Sequence, residues 1–347
     1  MTPVMPIDVL LHGVGNVGQR LLDLFERQAP LLAKRHQCTI RVIGAIDSGG
    51  ALYAPQGLAP GTLRAAKQQG ASVASLPGGE PEATVLDLIA RHHEPATLME
   101  ATVVNLSNGE PGLSAIRAAL DKGWYVVSAN KAPLVLAFQE LSRLARARGV
   151  SLAYSATVCG GLPVLNVGHY DLAHCVVTRL EGIVNSTTNY LLSEMARGRP
   201  FAEALHDAQV AGIAEADPTL DVSGWDAANK LIIMANAILR MPATVADVSV
   251  TGIEGVTPEM LMAAHEAGAT IKLLARAELR PDARYTLTVA PEQIPLAHPL
   301  ARLAGHQMGV VFETDINGRI MLAITEEDPY PTAAAMLRDL VLLRGQR

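Results

Sequence analysis

"IDVLLHGVGNVGQRLLDLFERQ", Ile7 to Gln28, passes from an apolar run to a glycine turn and then to a helical pattern. Leu21, Leu22, Leu24 and Phe25 line one face of that helix. Gly13, Gly15 and Gly18 stand at the junction with the spacing G-x-G-x-x-G. The first glycine allows a tight turn, the second lets a pyrophosphate approach the backbone, and the third permits close packing of helix on strand. Phosphates then lie at the positive end of the helix. The spacing alone is a weak signal. Its place between strand and helix, with a second strand "TIRVIGAID" (39–47) ending in Asp47, makes it a dinucleotide-binding signature.

Beyond that strand, residues 49–80 are rich in glycine, proline and alanine and read as loops with a short helix. Strands and helices then alternate. "ATVLDLIARHH" is helical, "ATLMEATV" (96–103) a strand, and "PGLSAIRAALDKG" a helix closed by Gly123. "WYVVSA" is a strand, "QELSRLARARG" a helix ended by Gly149, and "VSLAYSATV" a strand. Such alternation predicts an α/β fold, a Rossmann-type doubly wound parallel sheet. After about residue 156 the texture changes to glycine-rich turns, a long apolar helix (about 224–240) and alternating strands such as "YTLTVA" and "GVVFETDI". The expected organisation is a dinucleotide-binding domain at 1–155 and an α+β substrate and dimerisation domain at 156–330. A final helix at 331–345 is expected to pack back onto the first domain.

Composition narrows the function classes. The chain has 347 residues, 49% apolar, so a large aliphatic core is within reach. Aromatics are 4%, too few for a stacking platform, and the net charge is −6 with no basic run, so nucleic acid is not an expected partner. No uncharged apolar run has the length of a membrane span, and the N-terminus lacks the form of a signal peptide. Three cysteines are too few for a disulfide framework or a zinc site. These features predict a cytoplasmic protein acting on a small molecule. His92-His93, at a helix end, reads as a solvated pair suited to the helix dipole.

The chain has six lysines against 22 arginines, and two of the lysines occupy unusual places. Lys131, in "SANKAPL", directly follows a strand, where an open α/β sheet borders its ligand crevice. Lys230 sits in "WDAANKLIIMANAIL", an otherwise apolar helix. Desolvation lowers the pKa of a lysine and makes it a better proton donor and acceptor near neutral pH. Ahead of it, Glu215, Asp217, Asp221 and Asp226 crowd "EADPTLDVSGWDAANK". Ser223 and Asp226 have capping-box form, and Asp226 with Lys230 is an i,i+4 pair. The remaining acids suit a cup for a substrate ammonium. Asp47 could hold ribose hydroxyls, and Ser48 rather than an arginine follows it, which favours NAD over NADP.

Several motifs together resemble homoserine dehydrogenase: "GVGNVG" (13–18), "SANKAPL" (128–134), "YSATVCGGLPVL" (154–165), "GIVNSTTNYLLSEM" (182–195) and "GIAEADPTLDVSGWDAANK" (212–230). The resemblance implies reversible reduction of L-aspartate 4-semialdehyde to L-homoserine with NADH or NADPH, in threonine and methionine biosynthesis, by a homodimer. It implies Lys131 and Lys230 as catalytic lysines, and Glu215, Asp226, Asp221 and Thr187 as substrate-binding residues. The coenzyme falls to Gly13, Gly15, Asn16, Val17, Gly18, Asp47, Thr102 and Asn130. It also implies a monovalent-cation site, such as one for Na⁺, at the backbone carbonyls of Val158 and Gly160. Three stretches depart from the family pattern: Ser155 stands where an acid is frequent, Ser186 where glycine is common, and "EEDPYPTAAAM" (326–336) where a glycine-rich loop is typical. The chain stops soon after its last helix, so the expectation is a short form without a C-terminal ACT regulatory domain.

Two other readings are open. An acylating semialdehyde dehydrogenase needs a thiol nucleophile, for which Cys159 is the available candidate. A non-catalytic dinucleotide-binding regulator would have no use for the two lysines and the acidic cup.

Overall fold

The computed structural model describes residues 5–211, 214 and 216–344. Its contacts divide the chain into two units: one runs up to Gly161 and resumes at Asp328, the other spans Leu162–Glu327.

The first unit starts with β1 (Met5–His12), α1 (Asn16–Arg27), α2 (Ala29–His36) and β2 (Cys38–Asp47). It continues with β3 (Gly50–Leu58), α3 (Pro60–Gln68), β4 (Gly79–Glu80) and α4 (Val85–Arg91). Then come β5 (Thr97–Glu100), α5 (Gly112–Asp121), β6 (Tyr125–Ser128), α6 (Ala132–Arg148) and β7 (Leu152–Ala153). The seven strands form one sheet in the order β4-β3-β2-β1-β5-β6-β7. From β2 to β7 the neighbours are parallel, the doubly wound core expected from the alternation. Val9, Leu10 and Leu11 are fully buried, which is what a strand covered on both faces requires.

Two local readings are corrected. The stretch 49–80 is not mostly loop: β3 turns back antiparallel on β2, pairing Asp47 with Gly50 and Gly44 with Tyr53. Its ladder is irregular between Val42 and Gly44, and Pro55 and Gly57 (φ 112°) fall in that irregularity. Proline is tolerated where it need not donate to a ladder, so a composition that signals a loop also fits a bulged strand. The strand expected at 150–158 is confined to β7, and Ser155–Thr157 turn into a 3₁₀ helix.

The second unit contains α7 (Val164–Asn166), β8 (Val177–Ile183), α8 (Ser186–Met195), α9 (Phe201–Val210), α10 (Thr219–Val222) and α11 (Trp225–Ala237). It continues through β9 (Val248–Val250), α12 (Pro258–Glu266), β10 (Ala269–Leu279), β11 (Tyr285–Pro295), β12 (Gln307–Thr314) and β13 (Gly318–Thr325). Its six-stranded sheet has the order β13-β12-β8-β10-β11-β9 and is antiparallel except where β9 meets β11. Helix α11 is buried along Ala227–Asn229 and Leu231–Asn236, so its side chains form part of the core of this unit.

The last helix, α13 (Tyr330–Arg344), belongs to the first unit. Ala333, Met336 and Leu340 enter the core that holds Val9, Leu11 and Leu21, and the Tyr330 hydroxyl donates to Asp23 over 2.9 Å. Among the described residues no helix is long and apolar enough to cross a membrane.

Candidate active site

Each glycine of the G-x-G-x-x-G turn has a distinct geometry. Gly13 has φ 100°, and a Cβ there would lie 2.5 Å from the carbonyl oxygen of Ala101. A Cβ on Gly18 would lie 2.2 Å from the Gly13 carbonyl oxygen, so helix and turn touch only because it is absent. Gly15 has nothing within 4 Å of its Cβ position. It is also the N-cap of α1, with no side-chain cap and no acid in the first turn, which begins with Asn16 and Val17. The first amides of a helix need acceptors, and here open space and the positive end of the helix dipole suit an anion. These features fit a dinucleotide pyrophosphate.

Asp47 ends β2, as expected, but its carboxylate is already engaged. Lys67 Nζ (2.7 Å) and the Val73 amide (3.1 Å) donate to Oδ2, and Ser72 Oγ (2.6 Å) and the Gly49 amide (2.9 Å) donate to Oδ1. Burial pushes the carboxyl pKa up, and these hydrogen bonds more than offset it, leaving it below the ordinary value. Lys67 lies in α3, 20 residues along the chain. Nothing beside Asp47 in the chain signals this cation, because Ser48 follows it and α3 brings Lys67 to it only in the folded state.

Thr102 and Asn130 follow β5 and β6 and meet each other: the Asn130 amide donates to Thr102 Oγ1 (3.1 Å) and to the Val103 carbonyl (3.2 Å). Asn130 Oδ1 accepts from the Ala132 amide (3.1 Å), which sets the start of α6. Lys131 stands between them in helical conformation as the residue before α6.

In the second unit the acidic cup is partly assembled. Asn185 donates through its amide to Asp221 and to Asp226, both at 2.7 Å, while its oxygen caps α8 at the Thr188 amide (2.8 Å). Lys230 Nζ lies 2.8 Å from Asp226 and donates to the Val184 carbonyl at 2.7 Å. Thr187, in the first turn of α8, is 6% exposed. Glu215 lies outside the described residues. Asp217 does not join: it bonds the amide and hydroxyl of Thr219. The capping box expected from Ser223 and Asp226 does not form. Gly224 (φ 84°) caps α11 without a side chain, and Ser223 Oγ is buried with no hydrogen-bond partner. Asp226 is drawn to Asn185 and Lys230 instead.

Three further placements matter. Residues 158–161 form a turn with Cys159 (φ 54°) and Gly160 (φ 52°) both left-handed. Beside it, the Ser155 amide and hydroxyl donate to Asp339 of α13, at 3.0 Å to Oδ2 and 2.5 Å to Oδ1, so a carboxylate does stand next to position 155. Burial raises the pKa of that carboxyl despite the Ser155 bonds. His92 is not solvated. It is 4% exposed, packs edge-on to Trp124, and accepts or donates at 3.1 Å with the Tyr53 hydroxyl; burial lowers its pKa. The long-range aromatic contacts that bury it have no signal near residue 92. Among the described residues, no group of three or more His, Cys, Asp or Glu is placed to hold a metal ion.

The homoserine dehydrogenase family model matches residues 163–341. A homoserine dehydrogenase of Methanocaldococcus jannaschii is 33% identical over 96% of this chain and 98% of that protein. The chain belongs to the homoserine dehydrogenase family. An NAD(+)-dependent homoserine dehydrogenase of Pseudomonas canavaninivorans is also 33% identical, over 95% of this chain and 94% of that protein. The crystal structure of a putative homoserine dehydrogenase from Archaeoglobus fulgidus superposes with a TM-score of 0.86 and 35% identity, covering 97% of this chain and 98% of that one. A homoserine dehydrogenase is an oxidoreductase acting on a CH–OH group with a nicotinamide dinucleotide, and the acylating and regulatory readings give way to it.

Proposed function

We propose that this homoserine dehydrogenase interconverts L-aspartate 4-semialdehyde and L-homoserine with Lys230 and Lys131 as its acid–base groups. Asp221, Asp226, Thr187 and Glu215 bind the amino acid, the two aspartates by gripping its ammonium. The observation that carries this reading is the cluster Asp221–Asn185–Asp226–Lys230, in which a half-buried ammonium sits 2.8 Å from a buried carboxylate in the first turn of α11, beside the Asn185 cap of α8. The Lys230 ammonium donates a hydrogen bond, and then its proton, to the aldehyde oxygen as negative charge develops there. The aspartates hold the carbonyl in a fixed orientation, so less orientational entropy remains to be lost on the way to the transition state. The bound coenzyme supplies the hydride.

The coenzyme is bound by Gly13, Gly15, Asn16, Val17 and Gly18, with Asp47, Thr102 and Asn130; the uncapped start of α1 supports this. Asp47 at the tip of β2 supports NAD over NADP, as does the relative named NAD(+)-dependent. A monovalent cation such as Na⁺ binds carbonyls of Val158 and Gly160, which are committed to neither helix nor strand. The active form is a homodimer: β13 ends its sheet and exposes Met321, and an edge strand offers unpaired backbone groups to a second chain. The sparse cysteines, with Cys38 and Cys159 buried, support a cytoplasmic setting.

The test is homoserine-dependent reduction of NAD⁺ and NADP⁺ by wild type, Lys131→Ala and Lys230→Ala. Loss of a general acid predicts a drop in kcat of about 10²–10⁴-fold. Wild-type turnover in both variants would end the lysine assignment.

A further inference from the structure

The last residues of three neighbouring parallel strands are polar and buried. His12 ends β1, Glu100 ends β5 and Ser128 ends β6, with exposures of 5%, 0% and 0%. The register pairs His12 with Glu100 and Glu100 with Ser128. Laterally paired residues point to the same face of a sheet, so the three form one polar row across its carboxyl edge. Elsewhere in these strands the buried polar residues are Asp8, which is taken by Arg41, and Thr97 at the opposite end of β5, and the catalytic reading uses none of the row's three.

Glu100 is the centre of the row. Its Oε2 lies 2.6 Å from His12 Nδ1. Its Oε1 accepts from the Thr102 amide (2.9 Å), from the Thr102 hydroxyl and, more loosely, from the Asn130 amide (3.4 Å). Ser128 completes the row: its hydroxyl accepts from the Asn130 backbone amide and donates to the Asn130 carbonyl, both at 3.1 Å. One buried carboxylate therefore ties the loop after β5 to the loop after β6. It is itself tethered to the residue that precedes Gly13. A carboxylate with no exposure persists only where its lone pairs are met, so these donors hold it in one orientation and it holds them in turn.

We propose that Glu100, braced by His12, is a positioning residue for coenzyme binding. It acts through Thr102 and Asn130, fixing the two loops against the glycine turn before the coenzyme arrives. This rests on the reading of Thr102 and Asn130 as coenzyme contacts. Without Glu100 the loops must be ordered at the expense of binding, and affinity falls.

The experiment is titration of the full-length protein with NADH and NADPH by fluorescence, beside thermal melting and homoserine-dependent turnover. Glu100→Ala is expected to weaken coenzyme binding by about tenfold or more, the equivalent of one charge-assisted hydrogen bond. Glu100→Gln keeps Oε1 as an acceptor and presents an amide to a neutral His12 ring, so it should bind within about threefold of wild type. His12→Leu cuts the tether without opening a large cavity; it is expected to weaken binding by about threefold and serves if Glu100→Ala does not fold. A lower melting temperature with wild-type affinity, in either Glu100→Ala or His12→Leu, overturns the proposal and leaves the row a purely structural feature. Turnover separates the parent reading: wild type that binds coenzyme through Glu100 yet fails to oxidise homoserine would refute the assigned reaction and spare the positioning role.

Discussion

Lys272 is a buried ammonium whose cost to folding can be measured through pH. It lies in β10, is 5% exposed, and donates to Asn189 Oδ1 (3.0 Å) and to the Leu303 carbonyl (2.6 Å). Both acceptors are neutral, and burial lowers its pKa from 10.5 to about 8. Between those values the folded chain has lost a proton that the unfolded chain still holds. Stability therefore rises with pH across that window, because the unfolded state binds more protons. The full span corresponds to about 3 kcal/mol, of which about 2 kcal/mol falls between pH 7 and pH 9.5. Lys272→Met keeps the apolar stem and removes the titration. Urea unfolding of both proteins, followed by circular dichroism at the two pH values, cancels every shared group. The stability of wild type relative to Lys272→Met should improve by about 2 kcal/mol at pH 9.5 over pH 7. A gap that does not move with pH would mean that the ammonium is hydrated, and the desolvation reasoning would fail.

Ser223→Ala separates a local from a tertiary account of the start of α11. A capping box predicts a loss of about 1 kcal/mol, whereas the unpartnered hydroxyl predicts no loss or a slight gain, read as the urea midpoint. Lys67→Ala removes the cation 2.7 Å from Asp47, and the uncompensated carboxylate should then repel a 2′-phosphate. The ratio of kcat/KM for NADP⁺ to that for NAD⁺ should fall by about tenfold; an unchanged ratio places Asp47 away from the ribose.

Much of the first unit is legible in the chain because its signals are local. Apolar periodicity announces β1 and α1, and G-x-G-x-x-G encodes a turn whose geometry requires glycine at Gly13 and Gly18, with Gly15 leaving open space between them. The acids before Lys230 likewise announce a polar site by crowding. Local signals mislead where one composition serves two structures, as with the proline and glycine of bulged β3, or where a nearby pattern loses to a distant partner. Asp226 illustrates the second case: Asn185, 41 residues away, and Lys230 take the carboxylate that a capping box would have used.

By itself, the order of residues along this chain established the alternation of strands and helices, the glycine turn and the residue types that can perform the chemistry. Each depends on neighbours within a few positions. The tertiary structure alone decided which charges are buried and what meets them: Lys67 on Asp47, Asp339 on Ser155, His12 on Glu100 and Lys272 among neutral acceptors. Desolvation and ion pairing are properties of the assembled surroundings, and groups as far apart as Ser155 and Asp339, 184 residues along the chain, build those surroundings only once the backbone has folded.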